Sequence, residues 1–104
     1  MGSPIRMIVT LKASPEAKDN VRAAMQQLVP PTRAEAGCLQ YDFYEIDPEA
    51  AGGVANTGGD FVVIEGWRDQ AGHQAHVESD HFQAFITAFG ADEVQLSVQV
   101  LQDA

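Results

Sequence analysis

The segment from Phe61 to Arg68, FVVIEGWR, constrains the fold of this chain more than any other. Side chains of a β-strand alternate between two faces, and here both faces are largely apolar. One face carries Phe61, Val63, Glu65 and Trp67, and the other carries Val62, Ile64 and Gly66. A strand that is apolar on both faces belongs inside a sheet that is covered on both sides.

Three further segments have the alternation and β-branched composition of strands, namely Ile5–Lys12, Cys38–Asp47 and Glu93–Leu101. In the second of these, the pattern places Leu39, Tyr41 and Phe43 on one face. In the last, it predicts that four apolar residues face inward: Val94, Leu96, Val98 and Val100.

Helical spacing occupies the intervals between these strands. Ser14-Pro15-Glu16 predicts the start of a first helix, which Pro30-Pro31 is expected to interrupt before a further turn over Thr32–Ala36. Asp69 is expected to cap a second helix over residues 70–78. Ser79 or Asp80 is expected to cap a third that runs to about Phe89.

The predicted order, β-α-β-β-α-β, indicates an α+β chain with the ferredoxin-like fold, as one domain over residues 4–104. Met1–Ser3 are left out of this interpretation, and Pro48–Asp60 is predicted to be a long, mobile connection. Helices on one side of the sheet leave its second face uncovered. Sheet-to-sheet packing in a homodimer would cover that face.

The charge excludes two classes of partner. A formal net charge of -9, from 15 acidic and 6 basic residues, argues against nucleic acid and anionic membranes, which both favour lysine and arginine. No apolar stretch approaches the roughly 18 residues of a membrane-spanning helix. A single cysteine, Cys38, fits a reducing, cytoplasmic location.

The histidines stand out chemically, because all three (His73, His76 and His81) follow the Phe61–Arg68 segment closely. Histidine titrates near neutral pH, so His76 and His81 are the acid–base candidates, although both could equally lie on a solvated helix surface. Glu65 beside Trp67 on an apolar face needs a partner or a raised pKa. That partner could be Arg6, Arg22, Arg33 or a second subunit.

Glu65-x-Trp67, His76 and His81-Phe82-x-x-Phe85 resemble the antibiotic biosynthesis monooxygenase domain family, and the quinol monooxygenase branch in particular. Glu35-Ala36-Gly37-Cys38 leading into the Tyr41 strand extends the resemblance along the chain. It implies an antiparallel sheet in a dimeric α+β barrel. It also implies an oxidoreductase that oxidises a small quinol or polycyclic phenol with O2 and uses no cofactor.

The resemblance implies a division of roles within the site. His76 or His81 would move the proton, with Glu65 and Trp67 beside them, because oxidation of a quinol by O2 begins with deprotonation in a water-poor pocket. The aromatic substrate would lie against Tyr41, Phe43, Phe82, Phe85 and His73.

Other branches of the family match less well. The polyketide-tailoring branch has an asparagine and a tyrosine where this chain has Val63 and His73. The haem-degrading branch needs groups that Met7 and Ile86 cannot supply, so haem degradation is not expected.

Three other interpretations stay open. An isomerase or lyase of the same barrel group would use the histidines without O2, and a non-catalytic dimer would only bind a small aromatic molecule. A metal site built on His73, His76 and His81 lacks a fourth ligand, so no metal is expected.

Overall fold

The computed structural model describes residues 3–49 and 58–104. These residues form four strands and three helices: β1 (Ile5–Ala13), α1 (Lys18–Arg33), β2 (Cys38–Glu45), β3 (Phe61–Trp67), α2 (Gln70–Glu78), α3 (Asp80–Ala88) and β4 (Val94–Leu101). Residues 50–57, within the predicted connection from Pro48 to Asp60, lie outside the described residues.

The strands form one sheet in the order β2-β3-β1-β4, and every described pairing is antiparallel. This arrangement confirms the predicted α+β, ferredoxin-like class. Helix α1 packs on β2 and on α3, and the short helix α2 packs on α3 and β3. The connection from β3 to β4 is therefore made of two helices, α2 and α3, as the two predicted caps indicated.

The core lies between the helices and the face of β3 that carries Phe61, Val63 and Trp67, each of which is at most 1% exposed. Met7 and Leu11 extend this face onto β1. The opposing residues of α1 are Val21, Met25 and Leu28. Burying each large apolar side chain stabilises the fold by about 1.5–3 kcal/mol, so this layer fixes the position of the helices above the sheet.

Helix α1 differs from the prediction at both ends. A turn comes first, in which the Ala17 amide donates to Ser14, and the helix begins at Lys18. Pro30 and Pro31 do not interrupt the helix, which continues to Arg33. Each proline removes one amide donor, whereas the Pro30 carbonyl still accepts from Ala34, and the packed residues of α1 hold the last turn in place.

The first residues of β2 also differ from the prediction. The register shifts between Cys38 and Gln40, so that Cys38 pairs with Trp67 and Gln40 pairs with Gly66. This irregularity breaks the alternation, and Leu39 is 59% exposed whereas Tyr41 is buried. Simple alternation therefore placed Leu39 on the wrong face.

Strand β4 keeps its predicted alternation but not its predicted burial. Val100 pairs with Met7 and Leu96 with Leu11, so the apolar row faces the helical side of the sheet. Because β4 is an edge strand, Leu96, Val98 and Val100 remain 42%, 56% and 66% exposed.

The second face of the sheet carries Ile64 and Tyr44, which are 36% and 53% exposed. The helices of this chain lie on the other face and leave this one open. The homodimer that would cover it, sheet against sheet, stays a prediction. Within the described residues, no helix combines the length and the apolar character needed to span a membrane.

Candidate active site

An apolar cavity of about 210 Å³ lies between the sheet and the helices. Its lining comes from strands β1 to β4 and from all three helices: Met7, Val9, Leu11, Met25, Leu28, Tyr41, Val63, Glu65, His73, His76, Val77, Phe82, Phe85, Leu96 and Val98. Leu96 and Val98 are partly exposed, so the cavity reaches the surface at β4. Its few polar groups converge from β2, β3 and α2, an arrangement typical of a small-molecule site.

Glu65 is the buried carboxyl group of the cavity, at 6% exposure. Its Oε1 accepts a hydrogen bond of 2.9 Å from Trp67 Nε1, and this bond replaces the ion pair with an arginine that the sequence left open. The pKa of Glu65 is raised to about 7, mainly by burial; the Trp67 bond opposes this shift, and the nearby negative charge of Glu35 adds to it. Glu65 can therefore hold or release a proton near neutral pH.

His76 is 2% exposed and lies among aromatic rings, in contrast to a solvated helix-surface position. Its ring centroid is 4.7 Å from that of Trp67, 4.8 Å from Phe82 and 5.5 Å from Tyr41. Burial lowers the pKa of His76 from its ordinary value, and the hydrogen bond to Glu35 opposes that shift. The ring is thus kept neutral near pH 7, as a proton acceptor must be.

Glu35, in the turn between α1 and β2, joins two of the histidines. Its Oε2 lies 2.8 Å from His76 Nδ1 and 2.7 Å from His81 Nε2. Glu35 was not among the site residues predicted from the sequence. It is 41 residues from His76, and its only sequence signal is its place in the Glu35–Cys38 stretch of the family resemblance.

Two glycines allow this approach. A Cβ on Gly37 would lie 2.7 Å from the Gly72 Cα, so the turn that carries Glu35 touches the backbone of α2. Arg68 donates its amide to the Gly37 carbonyl at 2.8 Å, and the Asp69 carboxylate caps α2 at the Gly72 amide. The Arg68 bond and the close approach of the two glycines bring the start of α2 to this turn, within reach of Glu35.

Ser79 fixes the junction between α2 and α3. Its Oγ donates to the His76 carbonyl at 2.6 Å and accepts from the Phe82 amide at 3.3 Å. The predicted cap of α3 is thus confirmed at Ser79. It places His76 and His81, on successive helices, around the same carboxylate.

The remaining predicted residues divide into two groups. Tyr41, His73, Phe82 and Phe85 line the cavity with Glu65 and His76. Burial raises the pKa of Tyr41 above its ordinary value and lowers that of His73, so both favour their neutral forms.

Three predicted residues lie outside the cavity lining. Trp67 stands behind it and supports Glu65 and His76. Phe43 packs against Phe61, with ring centroids 5.3 Å apart. His81 borders a separate groove between α1 and α3.

Glu35, His76 and His81 could each offer one ligand atom to a metal ion, and these atoms lie within 4.8 Å of one another. This set differs from the three histidines weighed from the sequence. A tetrahedral zinc at about 2.0–2.1 Å from each ligand separates the ligand atoms by about 3.3 Å. The Glu35 oxygen is closer than that to both nitrogens, at hydrogen-bond distance.

Comparison with known proteins shows which family this chain is similar to. Residues 4–88 match the family model described as antibiotic biosynthesis monooxygenase. YcnE of Bacillus subtilis is 38% identical over 76 residues, which cover 73% of this chain and 72% of YcnE. Rv0793 of Mycobacterium tuberculosis is 33% identical over 90 residues, which cover 86% of this chain and 80% of Rv0793. The names of both relatives describe them provisionally as monooxygenases.

Solved structures agree with these matches. The crystal structure of PA3566 from Pseudomonas aeruginosa has a TM-score of 0.79 at 32% identity, covering 100% of this chain and 97% of that chain. The structure of Rv0793 from Mycobacterium tuberculosis has a TM-score of 0.74 at 28% identity and covers 98% of both chains. Together the comparisons support a monooxygenase-type function.

Proposed function

This chain belongs to the antibiotic biosynthesis monooxygenase family, and from that premise we propose that it oxidises a small quinol or phenol with O2 and without a cofactor. The observation that carries the proposal is the cavity itself. It is apolar, it has neutral aromatic walls, and it presents His76 and Glu65 as the groups that exchange protons.

The size of the cavity favours the smaller substrates. About 210 Å³ is less than the roughly 300–1,000 Å³ of sites that take drug-sized ligands. A quinol with one or two rings fits this volume better than a polycyclic phenol. Tyr41, Phe82 and Phe85 would contact the ring faces, and the mouth at Leu96 and Val98 would admit the substrate and O2.

His76 is the proposed base of the two histidine candidates, because it lines the cavity and His81 does not. His76 Nε2 takes the proton of a substrate hydroxyl, and the resulting anion reduces O2 by one electron to form a radical pair. Recombination forms a carbon–oxygen bond. The resulting peroxide takes the proton back from His76. Loss of the hydrogen on the same carbon, together with cleavage of the oxygen–oxygen bond, then leaves one oxygen atom in the product as a carbonyl and releases the other as water.

Glu65, on β3, is proposed to bind the substrate from the sheet side of the cavity, whereas His76 acts from helix α2. Its pKa of about 7 lets the carboxyl donate a hydrogen bond to a substrate oxygen when protonated and accept one when ionised. Trp67 keeps this carboxyl in place through its indole N–H. The apolar lining of the cavity also limits the contact of the radical pair with water.

The test is oxidation of menadiol under ¹⁸O2, with the larger anthrone as a comparison and with O2 uptake and product mass measured together. We expect one labelled oxygen atom in the organic product, the other in water, and a rate far above that in buffer. His76→Gln should lose this acceleration.

Three results would contradict the proposal. Formation of hydrogen peroxide without label in the product indicates an oxidase. Equal turnover of a substrate without O2 indicates an isomerase or lyase. Binding with no turnover of either substrate indicates a non-catalytic carrier.

A further inference from the structure

One carboxylate oxygen, Glu35 Oε2, lies within hydrogen-bond distance of two imidazole rings that face different parts of the protein. The His76 side chain is 2% exposed and the His81 side chain 28%, with the Glu35 side chain at 14% between them. Taking a carboxylate this far out of water costs free energy unless hydrogen bonds compensate for it, and here two imidazole rings supply them.

The two rings meet at one oxygen atom of Glu35 but line different spaces. His76 lines the apolar cavity, whereas His81 borders the open groove between α1 and α3, beside Ala24 and Gln27. Glu35 therefore connects the inner histidine to one that reaches solvent. Both imidazole rings bond to the same oxygen atom of this carboxylate.

The chemistry of the groups fixes which nitrogen carries each proton. An ionised carboxylate only accepts hydrogen bonds, so the nitrogen that faces it must carry the hydrogen. In neutral His76 this places the hydrogen on Nδ1 and leaves the lone pair on Nε2. No hydrogen bond among the described residues uses His76 Nε2, which leaves it available to the substrate.

We propose that Glu35 is the residue that makes His76 a base, and that His81 holds Glu35 in position for this role. Glu35 selects the tautomer with a bare Nε2 and orients the ring toward the cavity. When Nε2 takes the substrate proton, the O–H bond breaks and an imidazolium forms between two anions, the substrate and Glu35. His81 contributes the second hydrogen bond, which keeps the carboxylate at the inner ring.

This inference rests on the proposed function, since His76 acts on a substrate there. The groups around His76 are Glu35 from the α1–β2 turn, Tyr41 from β2, Trp67 from β3, His73 from α2, and Phe82 and His81 from α3. Of these, Glu35 is the acceptor at 2.8 Å from Nδ1. The assignment of the tautomer therefore depends on Glu35.

The experiment measures the tautomer and the activity separately. Long-range ¹H–¹⁵N spectra of the wild-type imidazoles should show His76 with hydrogen on Nδ1 at pH 7.5. In Glu35→Gln that tautomer should lose its dominance and kcat should fall by at least about 30-fold with little change in KM, as expected when a base loses its orienting carboxylate. Glu35→Asp keeps the charge and should recover part of kcat.

Matched variants separate this role from a general loss of charge. Glu16→Gln removes an exposed glutamate in the turn before α1 and should change neither the tautomer nor kcat. His81→Gln should lower kcat by less than Glu35→Gln does, because the inner hydrogen bond survives.

A wild-type His76 with hydrogen on Nε2 would overturn the inference, and so would wild-type kcat in Glu35→Gln. The tautomer in the wild-type protein decides the question even if Glu35→Gln does not fold. It also decides when no substrate is turned over, in which case only the proposed function fails. Activity that EDTA abolishes and Zn²⁺ restores would show that these side chains serve a metal instead.

Discussion

The indole N–H of Trp67 donates to Glu65 Oε1 at 2.9 Å, between two side chains that are 0% and 6% exposed. Both residues point to the same face of β3, and this bond is the compensation that the described residues give to the buried carboxyl group. A single neutral donor is a weak substitute for water around a carboxylate. The pKa of Glu65 accordingly rises to about 7, and this shift has measurable consequences.

Glu65 should make the protein less stable as the pH rises from about 4.5 to about 7. In this window the unfolded chain has lost the Glu65 proton and the folded protein still holds it, so the free energy of unfolding falls by up to about 1.4 kcal/mol per pH unit. Urea unfolding of the wild type and of Glu65→Gln across this range tests the prediction. The variant should lack this component of the slope, and parallel curves would contradict it.

Trp67→Phe should destabilise the protein more at pH 8 than at pH 5. The lost volume acts at both pH values, whereas the lost hydrogen bond costs about 1.5–3 kcal/mol to an ionised Glu65 and less to a protonated one. Urea unfolding at the two pH values gives the difference. Tyr44→Phe, on the exposed face of the sheet, serves as the control, and a pH-independent cost of Trp67→Phe would speak against the role of the bond.

Substitutions of the three histidines should differ in their effects on kcat and KM. His76→Gln removes the proposed base and should lower kcat by about 10²–10⁴-fold. His73→Gln changes the cavity wall and should act mainly on KM, whereas His81→Gln should lower kcat by less than His76→Gln does. A larger loss of kcat in His81→Gln than in His76→Gln would reverse the assignment of the base.

Gly37→Ala should destabilise the protein by about 1–3 kcal/mol, because its Cβ would meet backbone atoms of Gly72 at 2.7 Å and neither segment can yield cheaply. Gly90→Ala is the matched control, since its Cβ approaches only the side-chain carboxylates of Asp92 and Glu93, which are more flexible than backbone. Thermal unfolding of both variants tests the prediction. Equal melting temperatures would show that the turn adjusts without cost.

The exposed face of the sheet should form a homodimer. Sedimentation velocity at micromolar concentration should give a dimer for the wild type and a monomer for Ile64→Lys, which places a charge among apolar residues of that face. Gln83→Lys, on the exposed side of α3, should remain a dimer. A monomeric wild type at this concentration would refute the packing of sheet against sheet.

Local patterns in the sequence predicted the strands well. The alternation in β3 placed Glu65 and Trp67 on one face, and both side chains are buried there. Asp69 and Ser79 cap helices as predicted, because a capping bond involves residues only three apart in sequence.

The failures occur where a distant contact overrides a local rule. Packing of α1 carries the helix through Pro30 and Pro31, and the irregularity at Leu39 reverses the face of that residue. The partnership of Glu35 with His76 spans 41 residues, and no local spacing encodes such a contact. The cavity could therefore be anticipated from sequence, whereas the group that orients its proposed base could not.

The contact between Gly37 and Gly72 also bears on how the chain folds. Cys38 pairs with Trp67 beside this contact, so the turn at Glu35 meets α2 where β2 pairs with β3, and such non-local pairing is a comparatively slow kind of step. An intermediate with formed helices but an unfinished sheet would have His76 without its carboxylate. Recovery of activity during refolding should therefore lag behind recovery of helical signal and report the completion of the native fold.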